Sequence, residues 1–231
     1  YIFMLQITDL TRSYGEKEVL SIPSFGFVTG EVHGIVGLNG SGKTTFLNAL
    51  YGFGRSKNAR VIYENMPMDH TNTAFLEAEN YFYPGITGHE YLALFQGKDT
   101  TTTIDGVNEL LEVPLDELIS TYSTGMRKKL ALLGILKLDR PVLLLDEPMN
   151  GLDLAAVRVL EAIVRKLVEH ERTVFITSHV LGPLIAICKQ IHLLQDGMFL
   201  RTFEQREMDQ LEAALFADLD KRTEETIGRV M

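Results

Sequence analysis

Eight consecutive residues, Gly37 to Thr44, most constrain what this chain of 231 residues can fold into. They read Gly-Leu-Asn-Gly-Ser-Gly-Lys-Thr, the G-x-x-x-x-G-K-[ST] pattern of a phosphate-binding loop. The apolar run Val32–Val36 precedes the loop, and the pattern after it predicts a helix over Thr44–Tyr51. A strand, a glycine-rich turn and a helix N-terminus together form an anion site, because their backbone N–H groups converge. The sequence therefore predicts a domain that binds a nucleoside triphosphate.

The residue types in this loop each suit a phosphate group. Glycine allows the tight curl that turns successive N–H groups inward. Lys43 supplies a positive charge for the β- and γ-phosphates, and the Thr44 hydroxyl can bind Mg²⁺. The residues expected around the nucleotide in this segment are Gly37, Asn39, Gly40, Ser41, Gly42, Lys43, Thr44 and Thr45.

A second motif is the apolar run Val142–Leu145, which ends in two adjacent carboxylates, Asp146 and Glu147. Such a run is typical of a central parallel strand. Neighbouring residues of a strand point to opposite sides. Asp146 is therefore expected near the Mg²⁺ ion, and Glu147 near the γ-phosphate, where it would orient the attacking water. The alternative is a pair of solvated acids at a strand end.

Two further segments can contact a phosphate. His179 follows the strand predicted at Val174–Thr177 and can donate a hydrogen bond to the γ-phosphate, although a solvated edge histidine is the alternative. Ser123–Arg127 carries hydroxyl groups and a glycine at the start of a predicted helix, where a second anion can bind. Its plainer interpretation is an N-cap followed by basic, solvated residues.

Short apolar runs predict strands in the N-terminal part of the chain, which we expect to form an antiparallel β part. Their ranges are Met4–Leu10, Val19–Ile22, Phe25–Val28 and Arg60–Tyr63. The residues Thr29-Gly30-Glu31 predict a hairpin that joins Phe25–Val28 to Val32–Val36. The stretch Gly52–Asp69 is otherwise expected to be irregular.

Helical periodicity dominates the middle of the chain. Predicted helices cover Ile86–Phe95, Asp105–Val113 and Ser123–Leu138, and the polar run Gly97–Thr103 is predicted to be a loop. The later predictions are a helix over Leu154–His170 capped by Asp153, a helix over Pro183–Gln190, and a hairpin turned at Asp196-Gly197. The fold expected is α/β: a phosphate-loop NTPase core whose mainly parallel sheet is flanked by helices, with an N-terminal antiparallel part. A helical subdomain, 85–140, is inserted into the single domain 1–231, and 204–231 form a peripheral helical tail.

Composition argues against several kinds of partner, membrane span and metal site. The formal charge of −9 argues against a primary role on nucleic acid or anionic lipid. The longest apolar runs, such as Val180–Cys188, are shorter than the ~18–20 residues of a membrane helix. One cysteine permits no internal disulfide and suits a reducing compartment, and the histidines lack the spacing of a zinc site.

Together these motifs resemble, in order and spacing, the nucleotide-binding subunit of an ATP-binding cassette (ABC) transporter, over about Met4 to Phe203. Each family motif has a counterpart here. Gly37–Thr44 matches Walker A, Val142–Asp146 Walker B, Glu147 the catalytic glutamate, Ser123–Arg127 the signature, Asn150–Asp153 the D-loop and His179 the switch histidine.

The resemblance implies roles and partners. Tyr14 would stack on adenine, Glu147 and His179 would be catalytic, and Thr44 and Asp146 would bind Mg²⁺. Two such domains, forming either a homodimer or a heterodimer with a related subunit, would meet head to tail, with ATP between the loop of one and the signature of the other. The signature residues acting in trans would be Ser123, Thr124 and Gly125, with Asp153 in the D-loop. The subunit would lie in the cytoplasm, peripheral on the inner face of the cell membrane, and would power a separate transmembrane permease without binding nucleic acid.

Two departures from the family pattern stand out. In the signature, Thr124 replaces a glycine and Arg127 replaces the usual glutamine, a form similar to that of bacterial exporter-type subunits. Ungapped alignment places Ala78 where the family has a metal-contacting glutamine, so Glu79 is the candidate for that role.

Two other classes compete with a transporter subunit. A soluble ABC-type ATPase acting on ribosomes or DNA usually carries two cassettes or a long coiled coil, and this chain has neither. A GTPase or small-molecule kinase would lack the paired signature and switch histidine, and no guanine-specific N-K-x-D pattern is found.

Overall fold

A computed structural model describes residues 4–97 and 101–217, together with 223 and 227. In chain order its strands are β1 Met4–Tyr14, β2 Lys17–Val28, β3 Val32–Val36, β4 Arg60–Tyr63, β5 Met66–Pro67, β6 Thr73–Leu76, β7 Val142–Asp146, β8 Thr173–Thr177, β9 Gln190–Gln195 and β10 Met198–Glu204. Its helices are α1 Lys43–Tyr51, α2 Gly88–Ala93, α3 Thr101–Leu111, α4 Thr124–Lys137, α5 Leu154–Glu169 and α6 Leu181–Ile187. Shorter 3₁₀ helices cover Ile119–Thr121 and Gln205–Gln210.

The strands form two sheets. The larger has the order β10-β9-β3-β8-β7-β6, and all its neighbouring pairs are parallel except β9 with β10. Its strands β3, β7 and β8 are buried along their whole length, because a parallel sheet is covered on both faces. The smaller sheet, β2-β1-β4-β5, is antiparallel. The predicted α/β fold is confirmed.

Alternate residues of β7 belong to two separate cores. Val142 and Leu144 pack in a cluster with Phe46 of α1 and the antiparallel sheet. Leu143 and Leu145 pack in the other cluster, which contains residues of α4 and α5. This division follows from the alternation of side chains along a strand. The carboxyl ends of β3, β7 and β8 are thereby held firmly at one edge of the sheet.

The hairpin predicted across Thr29-Gly30-Glu31 is wrong. β2 pairs with β1 in the antiparallel sheet, whereas β3 lies between β8 and β9 in the other sheet. The segment therefore crosses from one sheet to the other, and the Gly30 N–H donates to Thr173 Oγ1 at 2.9 Å. The physical reason is burial: β3 needs neighbours on both edges and cover on both faces, which a hairpin with β2 does not provide.

The strand β6 lies just beyond Gly52–Asp69 and was not predicted. It has four residues and pairs in parallel with β7 from Thr73 opposite Val142 to Leu76 opposite Leu145. A run this short gives a weak periodic signal, and its partner strand is distant in the sequence. Its carboxyl end brings Glu77, Ala78 and Glu79 to the same sheet edge as Asp146.

The helices follow the predictions with two exceptions. Of the predicted loop Gly97–Thr103, residues 98–100 lie outside the described residues, and Thr101–Thr103 belong to α3. Threonine has low helix propensity, and the surrounding fold overrides that preference. Helix α6 is displaced from Pro183–Gln190, and Gln190 is the first residue of β9. In the predicted tail, 211–217 are helical, and the part beyond them is outside the described residues apart from 223 and 227.

Candidate functional site

A cavity of about 540 Å³ lies where the phosphate loop meets the carboxyl edge of the parallel sheet. It brings together residues from four of the predicted motifs. The lining residues are Val19, Asn39, Gly40, Gly42, Lys43, Thr44, Thr45, Glu147, Asn150 and His179. Val19 was not predicted, and Asn150 was predicted only as part of the D-loop. Gly37, Ser41 and Tyr14 were predicted site residues and do not line this cavity.

The backbone of the loop depends on glycine. Gly40 and Gly42 have φ angles of 83° and 106°, in the left-handed region where side chains are strained. Gly42 precedes the first residue of α1 and provides no side-chain cap. The N–H groups of the first turn, which have no partner within a helix, are therefore available to an anion.

The Lys43 side chain is buried in the loop. Its Nζ donates to Gly37 O at 2.8 Å and to Leu38 O at 3.4 Å. Burial lowers the pKa of this ammonium group, and the nearby charges of Glu147 and Asp146 act in the opposite direction. The positive charge is thus held between the glycine-rich loop and the two carboxylates.

Thr177 connects the two carboxylates. It lies opposite Asp146 in the register of β7 and β8, and its hydroxyl donates to Asp146 Oδ1. The Thr177 hydroxyl oxygen also accepts the Glu147 N–H at 2.9 Å. Asp146 Oδ2 is buried and has no hydrogen-bond partner among the described residues. One oxygen of a carboxylate at the sheet edge is thereby left for a ligand.

A second cavity, of about 310 Å³, lies beside Asp146. Its lining includes the Thr44 side of the loop and the residues after β6, namely Thr44, Asn48, Phe75, Glu77, Ala78, Glu79 and Asp146. Hydroxyl and carboxylate oxygens are the donors that Mg²⁺ prefers, and Mg²⁺ commonly takes few protein ligands. The partnerless Asp146 Oδ2 and the Thr44 hydroxyl therefore fit such an ion. Glu79 lines this cavity, as does Glu77, which was not predicted.

Glu147 and His179 form a pair. Glu147 Oε2 lies 2.9 Å from His179 Nδ1 and 3.4 Å from the His179 backbone nitrogen. A carboxylate can only accept, so Nδ1 carries the proton in this hydrogen bond. The other ring nitrogen, Nε2, then donates to a phosphate only when the imidazole is protonated. Glu147 itself adopts a left-handed φ of 46°, which is uncommon for a residue with a side chain.

The signature residues lie apart from this cavity. Ser123 caps α4 by accepting the Met126 N–H at 3.2 Å, and Asp153 caps α5 by accepting the Ala156 N–H at 2.8 Å. Gly125 packs so closely on Gly151 that an added Cβ would lie 2.7 Å from the Gly151 oxygen. Neither Ser123, Thr124 nor Gly125 lines the 540 Å³ cavity.

Tyr14 is about half exposed at the end of β1. The Arg12 guanidinium carbon lies 4.8 Å from the centre of its ring, in a cation–π contact. The role of Tyr14 toward adenine stays a prediction.

Comparison with known proteins identifies the family. A family model described as "ABC transporter" matches residues 20–150. The uncharacterized ABC transporter ATP-binding protein YdbJ of Bacillus subtilis (strain 168) is 31% identical over 207 residues, covering 84% of this chain and 67% of that protein. The bacitracin transport ATP-binding protein BcrA of Enterococcus faecalis is 28% identical over 215 residues, with the same two coverages, 84% and 67%. A solved ATP-binding subunit of an ABC transporter shares the fold, with a TM-score of 0.80 at 20% identity over 92% of this chain and 94% of that chain.

The family model covers more than half of the sequence. It agrees with the phosphate loop and the paired carboxylates, and together they identify the class of protein. The chain belongs to the ABC transporter family of ATP-binding domains, which are ATPases. Within the described ranges, no helix has the length and apolar character that crossing a membrane requires.

Proposed function

We propose that this chain is the ATP-hydrolysing subunit of an ABC transporter, which drives a separate transmembrane permease when two cassettes close on ATP. One observation carries the proposal. Lys43, Glu147 and His179 line one cavity, whereas Ser123 and Gly125 lie at the start of α4 and do not line it. Both sets suit the γ-phosphate. A head-to-tail pair would bring the signature of each chain over the cavity of the other.

In this proposal the cavity residues have distinct tasks. The N–H groups of the loop and the Lys43 ammonium bind the β- and γ-phosphates. Glu147 orients and deprotonates the attacking water, and the hydrogen bond from His179 fixes the position of its carboxylate. Thr44 and Asp146 would hold Mg²⁺, which when bound neutralises charge on the phosphate oxygens. Glu79 is the proposed third protein ligand.

The remaining site residues would act at the edges of the nucleotide. Tyr14 would stack on adenine, and Asn39, Gly40, Ser41 and Thr45 would complete the phosphate loop. Ser123, Thr124 and Gly125 would approach the γ-phosphate of the partner chain, and Asp153 would lie at the contact between the two chains. The segment 85–140 would act as a helical subdomain that carries the signature.

The permease contact is proposed at the aromatic segment after β6. Tyr81 is 73% exposed and Tyr83 is 56% exposed, while Phe82 between them packs against Tyr91. Exposed aromatic side chains on either side of a partly buried one suit a protein partner. Relatives named for bacitracin and lantibiotic transport support a transport role. The subunit would act at the cytoplasmic face of a membrane, beside its permease.

The test is sedimentation velocity of Glu147→Gln with and without MgATP. This variant keeps the phosphate loop and removes the carboxylate that activates water, so the ATP-bound pair should accumulate as a dimer. Lys43→Ala in the Glu147→Gln background is the matched control, because it removes the charge that binds the phosphates and should stay monomeric. A Glu147→Gln chain that binds ATP and yet stays monomeric would contradict closure between identical chains. Failure to bind ATP would reject the proposed function.

A further inference from the structure

Lys128 on α4 is a buried lysine outside the nucleotide cavity. It is 6% exposed, and its Nζ donates to Ala78 O at 2.9 Å and to Glu77 O at 3.1 Å. Lysine is rarely buried this far without partners, since the charged group loses its hydration. The two main-chain carbonyls supply those partners. A single side chain therefore fastens α4 to the segment after β6.

The fastened segment is one wall of the cavity beside Asp146. Glu77, Ala78 and Glu79 line that cavity together with Thr44 and Asp146. Burial lowers the pKa of the Lys128 ammonium group, and the nearby negative charges of Asp146 and Glu147 act in the opposite direction. The link thus joins the carboxylate edge of the sheet to the helix whose N-cap is Ser123.

The side chain at position 78 cannot itself bind a metal ion, because alanine has no donor atom. The placement of the neighbouring carboxylates, Glu77 and Glu79, then depends on the path of the backbone between them. That path is held by Lys128, which donates to the carbonyls of two successive peptide bonds, Glu77–Ala78 and Ala78–Glu79. The two hydrogen bonds from Lys128 on α4 therefore fix the position of this cavity wall through its backbone.

We propose that Lys128 is a positioning residue: it holds the Glu77–Glu79 segment against the Mg²⁺ side of the nucleotide site and ties that segment to the signature helix. This inference rests on the proposed function. Lys128 lines neither the 540 Å³ cavity nor the cavity beside Asp146. Its effect reaches the site through the carbonyls that it binds.

The test compares three variants. Lys128→Met keeps the length of the side chain and removes its charge and donors. Lys128→Gln has a shorter side chain with one amide nitrogen, which can reach one carbonyl. Lys137→Met is the matched control, because Lys137 lies on the same helix and its Nζ also donates to a main-chain carbonyl, Leu92 O at 2.8 Å, away from the metal side.

Two measurements do not require turnover. Amide hydrogen exchange at residues 77–79 should be at least about tenfold faster in Lys128→Met than in the unchanged protein or Lys137→Met. Calorimetry should show that the gain in ATP affinity on adding Mg²⁺ falls about tenfold in Lys128→Met, while affinity in EDTA is unchanged. The kcat for ATP should fall by a similar factor. In each measurement, the value for Lys128→Gln should lie between those for the unchanged protein and Lys128→Met.

Three outcomes decide the matter. The inference would be overturned if Lys128→Met and Lys137→Met had the same amide exchange rates at residues 77–79 and the same gain in ATP affinity on adding Mg²⁺. If Lys128→Met does not fold, Lys128→Gln decides alone, and values equal to the unchanged protein would overturn the inference. If the unchanged protein does not bind ATP, the proposed function fails, while the exchange rates still report whether Lys128 holds the segment.

Discussion

Thr177 fixes the two carboxylates of the site relative to each other. Its hydroxyl uses both of its capacities, donating to Asp146 Oδ1 and accepting from the Glu147 N–H. The donated bond leaves Asp146 Oδ2 as the oxygen that faces a ligand. The accepted bond holds the backbone nitrogen of Glu147. Glu147 has a left-handed backbone conformation, which costs on the order of 1–2 kcal/mol for a residue other than glycine. The direction of both carboxylates thus depends on one hydroxyl group.

Thr177→Val should therefore separate catalysis from binding. Valine keeps the shape of threonine and loses the hydroxyl, so we expect kcat to fall about tenfold while the KM for ATP changes less than about twofold. Thr177→Ser keeps the hydroxyl and should restore most of the rate. Steady-state ATP hydrolysis at saturating Mg²⁺ measures both constants. Equal losses in the serine and valine variants would argue against the role.

No sequence pattern could single out Thr177. Thr177 is 30 positions from its donor, the Glu147 N–H, and 31 positions from its acceptor, Asp146 Oδ1. These groups meet only because β7 and β8 pair in parallel. The Asp146-Glu147 pair itself was recognisable, because it directly follows an apolar run. Local chemistry can be read from neighbouring residues, whereas a contact across strands requires the sheet register.

Among the elements, the starts of α4 and α5 are packed directly on each other. Gly125 approaches the Gly151 backbone, and Lys129 Nζ lies 3.4 Å from Asp153 Oδ2. Gly151 has a φ of 78°, so its turn is tight. A shift at the start of α4 must therefore displace the turn that contains Gly151.

Gly125→Ala tests this packing. The added methyl group would lie 2.7 Å from the Gly151 oxygen and must displace the D-loop. We expect the ATP-dependent dimer to weaken about tenfold, since the proposed head-to-tail pair places both displaced segments at the contact between the two chains. ATP binding to the single chain should be nearly unchanged.

Gly106→Ala on α3 is the control for Gly125→Ala. A methyl group there meets no atom within 4 Å, and alanine favours a helix by about 0.5–1 kcal/mol. It should leave dimerisation unchanged and slightly raise the denaturation midpoint. Sedimentation in the Glu147→Gln background measures the dimer, and equal behaviour of the two alanine variants would contradict the packing argument.

The elements that sequence predicted well are those with local signals. The hairpin at Asp196-Gly197 formed as expected, with both turn residues at positive φ, and Asp153 caps α5. The hairpin after β2 failed because turn residues also occur where a chain passes between sheets. Strand β6 escaped notice because four residues carry little periodicity, although it supplies the wall beside Asp146.

Across the whole molecule, two buried histidines join the sheets. His33 Nε2 donates to Val28 O at 2.7 Å, since a carbonyl can only accept. His33 Nδ1 therefore accepts from His192 Nε2 at 3.1 Å, and His192 Nδ1 accepts from the Thr202 hydroxyl at 2.9 Å. This series of hydrogen bonds runs from β2 of the smaller sheet to β10 at the edge of the larger sheet. It requires both imidazoles to be neutral.

Stability should consequently fall in mild acid. Burial lowers the pKa of both histidines, although the charge of Glu31 raises that of His33 and Lys189 lowers it. Well above pH 6.5, the ordinary histidine value, neither state takes up protons at these sites. Below it the unfolded chain binds protons that the folded chain excludes, so unfolding becomes easier by up to about 1.4 kcal/mol per pH unit for each histidine.

Urea unfolding at pH 7.5, 6.5 and 5.5 measures this effect. We expect the free energy of unfolding to fall slightly between pH 7.5 and 6.5 and more steeply between pH 6.5 and 5.5. His70→Gln, a change at an exposed histidine, should give the same profile. A free energy that does not change between pH 7.5 and 5.5 would show that the buried pair does not control acid stability.

The separation of the signature from the cavity of its own chain has a consequence in genetic terms. A defect in Lys43 and a defect in Ser123 would each inactivate both sites of a pair made from one kind of chain. When the two defective chains are made together, a mixed pair contains one site whose loop and signature are both intact, and one site that has lost both. Two inactive alleles would therefore complement each other, whereas a single allele that carries both defects could complement neither.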